Sequence, residues 1–281
     1  MPDTQARTHK FHAEAKVLSG RIHRPLSREI QPQAHIKLPP EGGYFHTNAL
    51  EFRLERVLSF ASAYTQVAGN PGKKPGEGWK TLSTTVIEGL NVMEVLTADR
   101  VVGQIITEHP LHGHVPSFHF LGTRFENLRI AGKLIDLDLD LDIFGDKPED
   151  DGVYTKQPDV LDRISKQYKR ITASKDLPDE LAGRYNQLAS SLGSPETVEC
   201  SLVNQAAGSY PGRTHGHIIH VRDFGTITLG KVNVTHSDFH AETGVSQKTL
   251  VELTMIDLKL GCAIDGDIPV GTGSNNGGPG H

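Results

Sequence analysis

Two histidine-glycine-histidine motifs are the residues of this chain best suited to chemistry. The first is His112-Gly-His114, and the second is His215-Gly-His217, with His220 three residues further on. Alternate side chains of a β-strand point the same way, so the two imidazoles of one motif converge on one ion. The five histidines therefore predict a site for a divalent transition metal, with zinc, copper, nickel and non-haem iron as candidates.

The surroundings of the two motifs leave the metal hypothesis and an ordinary structural interpretation both open. Residues 112–123 and 215–226 both begin with His-Gly-His and end with Gly-Thr, which suggests two related halves of one β structure. Fifteen histidines are present, however, and a glycine between two of them is also typical of a bulge in a plain strand. Candidates to replace a ligand or complete the site are Glu108, Asp223, His236, Asp238 and His240.

The elements that must position these residues are mainly strands. In residues 133–144, aspartates alternate with leucines and an isoleucine, which predicts a half-buried antiparallel strand. Residues 125–135 read as the other arm of a hairpin that turns near Ala131-Gly132. A straight strand cannot fold its carboxylates around calcium, so we expect the aspartates to face solvent or basic residues. Further strands are predicted in 10–24, 50–66, 81–107, 215–234 and 247–260.

Residues 158–193 carry apolar residues at helical spacing instead. Pro178 stands where a second helix would begin, and Gly193 stands where it would be capped. We therefore predict a mainly β fold, an antiparallel β-sandwich or barrel-like sheets, with an inserted helical hairpin. The two predicted apolar stripes are Val160, Leu161, Ile164, Tyr168 and Ile171, followed by Leu181, Tyr185, Leu188 and Leu192.

The domain organisation follows from where these patterns stop. Residues 1–270 are predicted to form a single β-rich domain that contains the helical insertion. Residues 271–281 are rich in glycine, asparagine and serine and are predicted to be a flexible tail. Cys200 and Cys262 lie in apolar contexts, which predicts two buried thiols, with a disulfide between them as the alternative.

Charge and hydropathy exclude several classes of function. The 29 basic and 34 acidic residues give a formal charge of −5, which argues against nucleic acid as a partner. The sequence predicts no membrane span. The first residues lack the apolar core of a secretory signal, which predicts a cytoplasmic location, with the cell surface as the alternative if a leader had been removed.

Complete catalytic motifs are missing from the sequence. It contains no nucleophile elbow, phosphate-binding loop or zinc-protease helix motif. Both His-Gly-His motifs lack the glutamate that cupins carry shortly after theirs. Glu55 and Glu88 have the chemistry of a glycosidase acid pair, but the sequence does not give their separation.

One stretch has a family resemblance. Residues 86–106, which include Leu-Thr-Ala-Asp at 96–99, and then Phe125-Glu-Asn-Leu-Arg-Ile-Ala-Gly132 are similar to the core of bacterial proteins called choice-of-anchor P. The resemblance implies a β-rich bacterial surface protein without an assigned activity.

Two functions from different classes remain open at this point. The first is a non-catalytic structural or binding protein, a homo-oligomer that self-associates through sheet edges. The second is a metal-dependent enzyme that uses the paired histidines to hold an ion that acts as a Lewis acid or activates water. The absence of a complete catalytic motif favours the first.

Overall fold

The computed structural model describes residues 9–25, 27–73, 77–111, 115–149, 152–194, 196–237, 248–261 and 264–277. Antiparallel strands dominate these residues, and two α-helices are inserted between strands late in the chain. The prediction of a mainly β, sandwich-like fold with two helices is confirmed. The helices are α1 (Pro158–Thr172) and α2 (Asp179–Ser190), preceded by a 3-10 turn at Tyr154–Lys156. None of the described helices is long and apolar enough to cross a membrane.

The strands fall into three antiparallel sheets. In chain order they are β1 (Ala13–Arg24), β2 (Arg28–Gln33), β3 (Ile36–Lys37), β4 (Gly43–Leu54), β5 (Leu58–Pro71), β6 (Trp79–Val92), β7 (Leu96–His109), β8 (Ser117–His119), β9 (Arg124–Glu126), β10 (Arg129–Ile130), β11 (Lys133–Leu134), β12 (Asp136–Leu139), β13 (Thr197–Ser201), β14 (Val203–Ala207), β15 (Arg213–His215), β16 (Ile218–Val221), β17 (Gly225–Ser237), β18 (Lys248–Gly261) and β19 (Asp265–Gly277).

Two of these sheets form the layers of the sandwich. Sheet 1 has the strand order β15-β16-β17-β18-β19-β1-β2, with β13 also paired to β17 and β3 to β1. Sheet 2 has the order β11-β10-β7-β6-β5-β4, with β8 and β9 paired to β7. Strands β1, β18 and β19 pack face to face on β5, β6 and β7. The main core lies between the layers and continues under the helices.

The long strands change their inward-facing residues partway along. In β5 the buried positions are even at Leu58 and Phe60 but odd at Ala63 and Val67. The change falls at Ala61. Its neighbour in the adjacent strand β6 is Gly89, which has φ +65°. On the other side of Ala61, Glu51 of β4 also has positive φ, +51°, so left-handed residues flank the reversal in β5. Both halves of a 14-residue strand thereby keep apolar side chains in the core.

Sheet 1 contains the same device at Gly230 and Gly271, which flank Met255. Both glycines have positive φ, +59° and +66°. In β18 the buried positions are odd up to Met255 and even from Ile256 onward. This reversal explains why buried apolar neighbours such as Met255 and Ile256 stand side by side in the sequence.

The predicted hairpin near residue 131 is present, but its second arm is short. Ala131 and Gly132 both have positive φ, as a type I′ turn requires, and they join β10 to β11. The prediction of one strand over 133–144 is wrong, because β12 leaves this hairpin and pairs with β14 in a separate two-stranded sheet. Residues 141–144 form a turn. Leu137, Leu139 and Leu141 of this segment still pack against the core.

The remaining strand predictions are right in type and imprecise in extent. Residues 50–66 and 81–107 each span two strands of a hairpin instead of one strand. The helices lie where the spacing predicts them. Tyr185 is the fully buried residue of α2, and Gly193 follows with φ +88°. The buried residues of α1 are Val160, Ile164, Gln167, Tyr168 and Ile171.

Residues 271–277 of the glycine-rich stretch are part of the core sheet, whereas residues 278–281 lie outside the described residues. Residues 271–277 complete β19, which pairs with β18 on one side and β1 on the other. The Asn275 amide donates hydrogen bonds across the sandwich to the backbone carbonyls of Thr81 at 3.3 Å and Ile105 at 3.1 Å. Small residues are needed here because the layers approach closely. A Cβ at Gly273 would lie 2.9 Å from Ser83 Oγ.

Candidate functional site

The second histidine motif forms a hairpin turn. His215 ends β15, Gly216 and His217 form the turn, and β16 begins at Ile218. Gly216 has φ +63°, as the first central residue of a type II′ turn requires. The expectation that His215 and His217 occupy one strand is therefore wrong, since the turn ends the period-two alternation between them.

His217 is buried against α2. Its Nε2 lies 3.0 Å from the hydroxyl oxygen of Tyr185, and the two rings meet edge to face. Burial, together with the nearby charges of Arg184 and Lys231, lowers the pKa of His217 to about 3. The imidazole is therefore neutral at pH 7, and one of its ring nitrogens is occupied by a protein hydrogen bond.

His215 and His220 lie on a different part of the hairpin. His215 is buried, and neither of its ring nitrogens has a hydrogen-bond partner among the described residues. Burial lowers the pKa of His215, with smaller contributions from His220 and Arg213. His220 is half-buried, and its Nδ1 lies 3.4 Å from Thr226 Oγ1.

The predicted metal ligands are only partly covered by the structure. His112 and His114 lie outside the described residues, as do His240 and Asp238. Within the described part of the chain, no group of three or more histidine, cysteine, aspartate or glutamate side chains is placed to hold a metal ion. His215, His217 and His220 therefore do not form such a group with other described residues, and the site that combines them with the first motif stays a prediction.

The other acidic candidates are engaged in ion pairs. Glu108 pairs with Lys80 at 2.8 Å, and Glu55 pairs with Arg28 at 3.2 Å. Glu88 accepts a 2.7 Å hydrogen bond from the Ser62 hydroxyl and faces Arg100. Asp223 lies in a turn beside Arg222. Cys200 is a buried free thiol whose pKa is raised by burial, and Cys262 lies outside the described residues.

A charged cluster fixes the helical hairpin to sheet 1. Arg184 of α2 donates two hydrogen bonds to the carboxylate of Glu199, at 2.6 and 2.8 Å. Lys231 lies 3.7 Å from Glu199 and 3.5 Å from Asp257. Opposite charges that are mostly removed from water and paired in this way attach one element to another.

Two further contacts complete this attachment. The side-chain amide of Gln167 donates to the Ser201 carbonyl at 2.8 Å and accepts from the Ser201 N–H at 3.1 Å, so it replaces a strand neighbour there. The Tyr168 hydroxyl donates to the carbonyl of Glu199. Because every charged group in the cluster has a partner within the protein, this arrangement is typical of structural support.

The outer edge of sheet 2 has no neighbouring strand among the described residues. Strand β4 ends the order of that sheet, and in the described part of the chain it pairs through the ladder only with β5. Its first eight residues, 43–50, which we call the β4 edge, carry no aspartate, glutamate, lysine, arginine or proline. Natural proteins usually protect long edge strands with such residues.

Large apolar side chains are concentrated on the same surface. Among the described residues, six large apolar side chains are exposed, and four of them belong to β4 or its neighbour β5. Tyr44 and Leu50 are 59% and 70% exposed, and both point to the outer face together with Tyr64 of β5. Phe45 is exposed on the opposite face of the strand. The sequence prediction began this strand at residue 50 and so missed the edge. The signal that was available is the uncharged run of residues 43–50.

These features define an antiparallel two-layer β protein. A helical hairpin is fixed on one sheet, and the edge strand of the other sheet is apolar and uncharged over residues 43–50. The chain belongs to the family described as a domain of unknown function, DUF8256, which matches residues 9–235. No curated protein and no solved structure matches the chain. The resemblance to choice-of-anchor P proteins stays a prediction.

Proposed function

We propose that this protein is a non-catalytic structural protein whose copies join through the β4 edge. The observation that carries the proposal is the combination, along residues 43–50, of backbone groups that no other described strand pairs with, exposed apolar side chains and no formal charge. An edge of this kind is a template for pairing with another strand.

A second copy of the chain is the partner that fits this edge. In an antiparallel two-fold pairing centred on Thr47, Tyr44 of one copy lies opposite Leu50 of the other, and Phe45 lies opposite Ala49. Each pair brings a larger side chain against a smaller one, and no like charges meet within the segment. A two-fold pairing of identical strands also closes on itself, so it yields a defined dimer. Sheet 2 would then continue from one copy into the next.

Light scattering coupled to size exclusion tests this proposal. We expect the wild-type chain to have about twice the 30.7 kDa mass of one copy. Leu50→Lys places a charge opposite Tyr44 at each end of the paired segment and should give a monomer with unchanged circular dichroism. The matched control is Leu121→Lys, because Leu121 is 64% exposed but lies in a turn away from β4.

Two outcomes would contradict the proposal. One is a wild-type chain that stays monomeric up to concentrations of about 100 µM, since a stable edge pairing should be formed there. The other is a dimer that persists in Leu50→Lys and dissociates in Leu121→Lys.

A further inference from the structure

Two neighbouring cavities meet at the hairpin that joins β4 to β5. The first has a volume of about 360 Å³ and apolar walls that include Ile22, Leu54, Val57 and Ile264. The second has a volume of about 430 Å³ and polar walls that include Arg53, Arg56 and Asn91. Glu55 lines both. An apolar cavity of this size with a few polar groups on one side is typical of small-molecule sites.

The charged residues around the two cavities favour an anion. Three guanidinium groups, those of Arg28, Arg53 and Arg56, line them, against the two carboxylates of Glu55 and Glu94. Arg28 lies on the apolar cavity with its side chain 56% exposed, and its partner Glu55 is 75% exposed. Exposed ion pairs of this kind contribute little to stability, so a ligand carboxylate can take the place of Glu55 at Arg28.

The apolar walls define the other half of the ligand. Ile22, Leu54 and Val57 are each less than 10% exposed, although they line a cavity. A saturated chain placed against these walls would remove its own apolar surface from water. We propose that the apolar cavity binds a small amphipathic carboxylate, with its hydrocarbon chain against Ile22, Leu54 and Val57 and its carboxylate on Arg28, beside the polar cavity that Arg53 and Arg56 line.

This inference does not depend on edge pairing, because none of the lining residues lies within 43–50. Titration calorimetry with octanoate is the direct test, with octanol and acetate as the uncharged and the chainless probe. We expect octanoate to bind one equivalent per chain and to bind more tightly than either of the other two. Methyl resonances of Ile22, Leu54 and Val57 should shift in the same titration.

Two variants test the charge of Arg28 and the apolar cavity separately. Arg28→Gln should weaken octanoate binding by roughly tenfold, because a charge-assisted hydrogen bond is lost. Arg124→Gln is the matched control, since Arg124 is an exposed arginine in an ion pair with Glu126, outside both cavities. Val57→Trp fills the apolar cavity and should abolish binding. If that variant does not fold, Arg28→Gln still decides the question.

The proposal is overturned if octanoate binds no more tightly than acetate, or if Arg28→Gln and wild type bind it equally. It is also overturned if the shifted methyl groups lie away from the two cavities. Because the readout is ligand binding rather than mass, a monomeric protein that binds octanoate would refute edge pairing and leave this inference standing.

Discussion

The spacing of the histidines alone did not locate a site, because a turn separates His215 from His217. The sequence contained both motifs and the spacing of their histidines, but it did not indicate that Gly216 would form a turn. In the turn, His217 faces Tyr185 of a helix that lies about thirty residues earlier in the chain. That contact depends on the placement of the helical hairpin, which no local pattern around residue 217 specifies.

Burial of His217 should make stability depend on pH. The pKa of this imidazole is about 3 in the folded chain and close to 6.5 in the unfolded one, so only the unfolded state takes up a proton between these values. The free energy of unfolding should therefore fall as the pH is lowered from about 6.5. The contribution of one group approaches about 1.4 kcal/mol per pH unit.

Urea unfolding between about pH 7 and pH 5 measures this effect. His217→Gln should show a shallower dependence on pH than wild type, while the buried His215 retains its own contribution. Tyr185→Phe is the control, because it removes the hydrogen bond and keeps the burial that lowers the pKa of His217. It should lower stability by about 1 kcal/mol and leave the steep pH dependence in place. An equal slope in wild type and His217→Gln would contradict the assignment.

Among the strands, reversals of the buried positions next to left-handed residues decide which side chains reach the core. The apolar alternation of each half-strand was visible in the sequence, and so were the helical stripes of α1 and α2. The points of reversal at Gly89, Gly230 and Gly271 were not visible, because a glycine in a strand indicates equally a bulge, a turn or a close contact. Long strands were accordingly predicted with the wrong limits.

Gly230→Ala tests the importance of one reversal. Gly230 has φ +59°, and a Cβ there would lie 3.1 Å from a methyl group of Val203. An alanine held in the left-handed region costs about 1 to 2 kcal/mol, so we expect the free energy of unfolding to fall by at least that amount. Gly183→Ala in α2 is the matched control, because no neighbouring atom lies within 4 Å of its Cβ and alanine favours helix, so it should gain up to about 1 kcal/mol. Similar effects of the two substitutions in chemical denaturation would show that the reversal does not need glycine.

At the scale of the whole molecule, the two layers are connected at one end by polar contacts. Thr81, Ser83, Thr107 and Asn275 are buried between the sheets, and all four carry a buried side-chain oxygen without a hydrogen-bond partner among the described residues. The Asn275 amide nitrogen bridges to both β6 and β7. This role of Asn275 could not be predicted from the sequence, because an asparagine in a stretch of glycine and serine is typical of a flexible segment.

Asn275→Ala should therefore lower the free energy of unfolding strongly, although Asn275 lies in a glycine-rich segment. The substitution removes two hydrogen bonds that join the layers, and we expect a loss of about 2 to 3 kcal/mol in the free energy of unfolding. Ser274→Ala, at the adjacent and partly exposed position, should change it by less than about 0.5 kcal/mol. Thermal or urea unfolding that ranks the two variants the other way would show that β19 does not connect the layers through Asn275.

The pairing of β1 with β19 also sets an order of events during synthesis. Sheet 2 is built largely from neighbouring hairpins, whereas Ala13 in sheet 1 pairs with Asn275, more than 250 residues later. Strand β1 is synthesised before strands β2 to β18, so all of them must be made before its partner β19 exists. Until then β1 lacks the strand that connects it to β18 in sheet 1. A nascent chain therefore carries an incomplete apolar sheet while β2 to β18 are synthesised, and this is the state in which we expect association with chaperones.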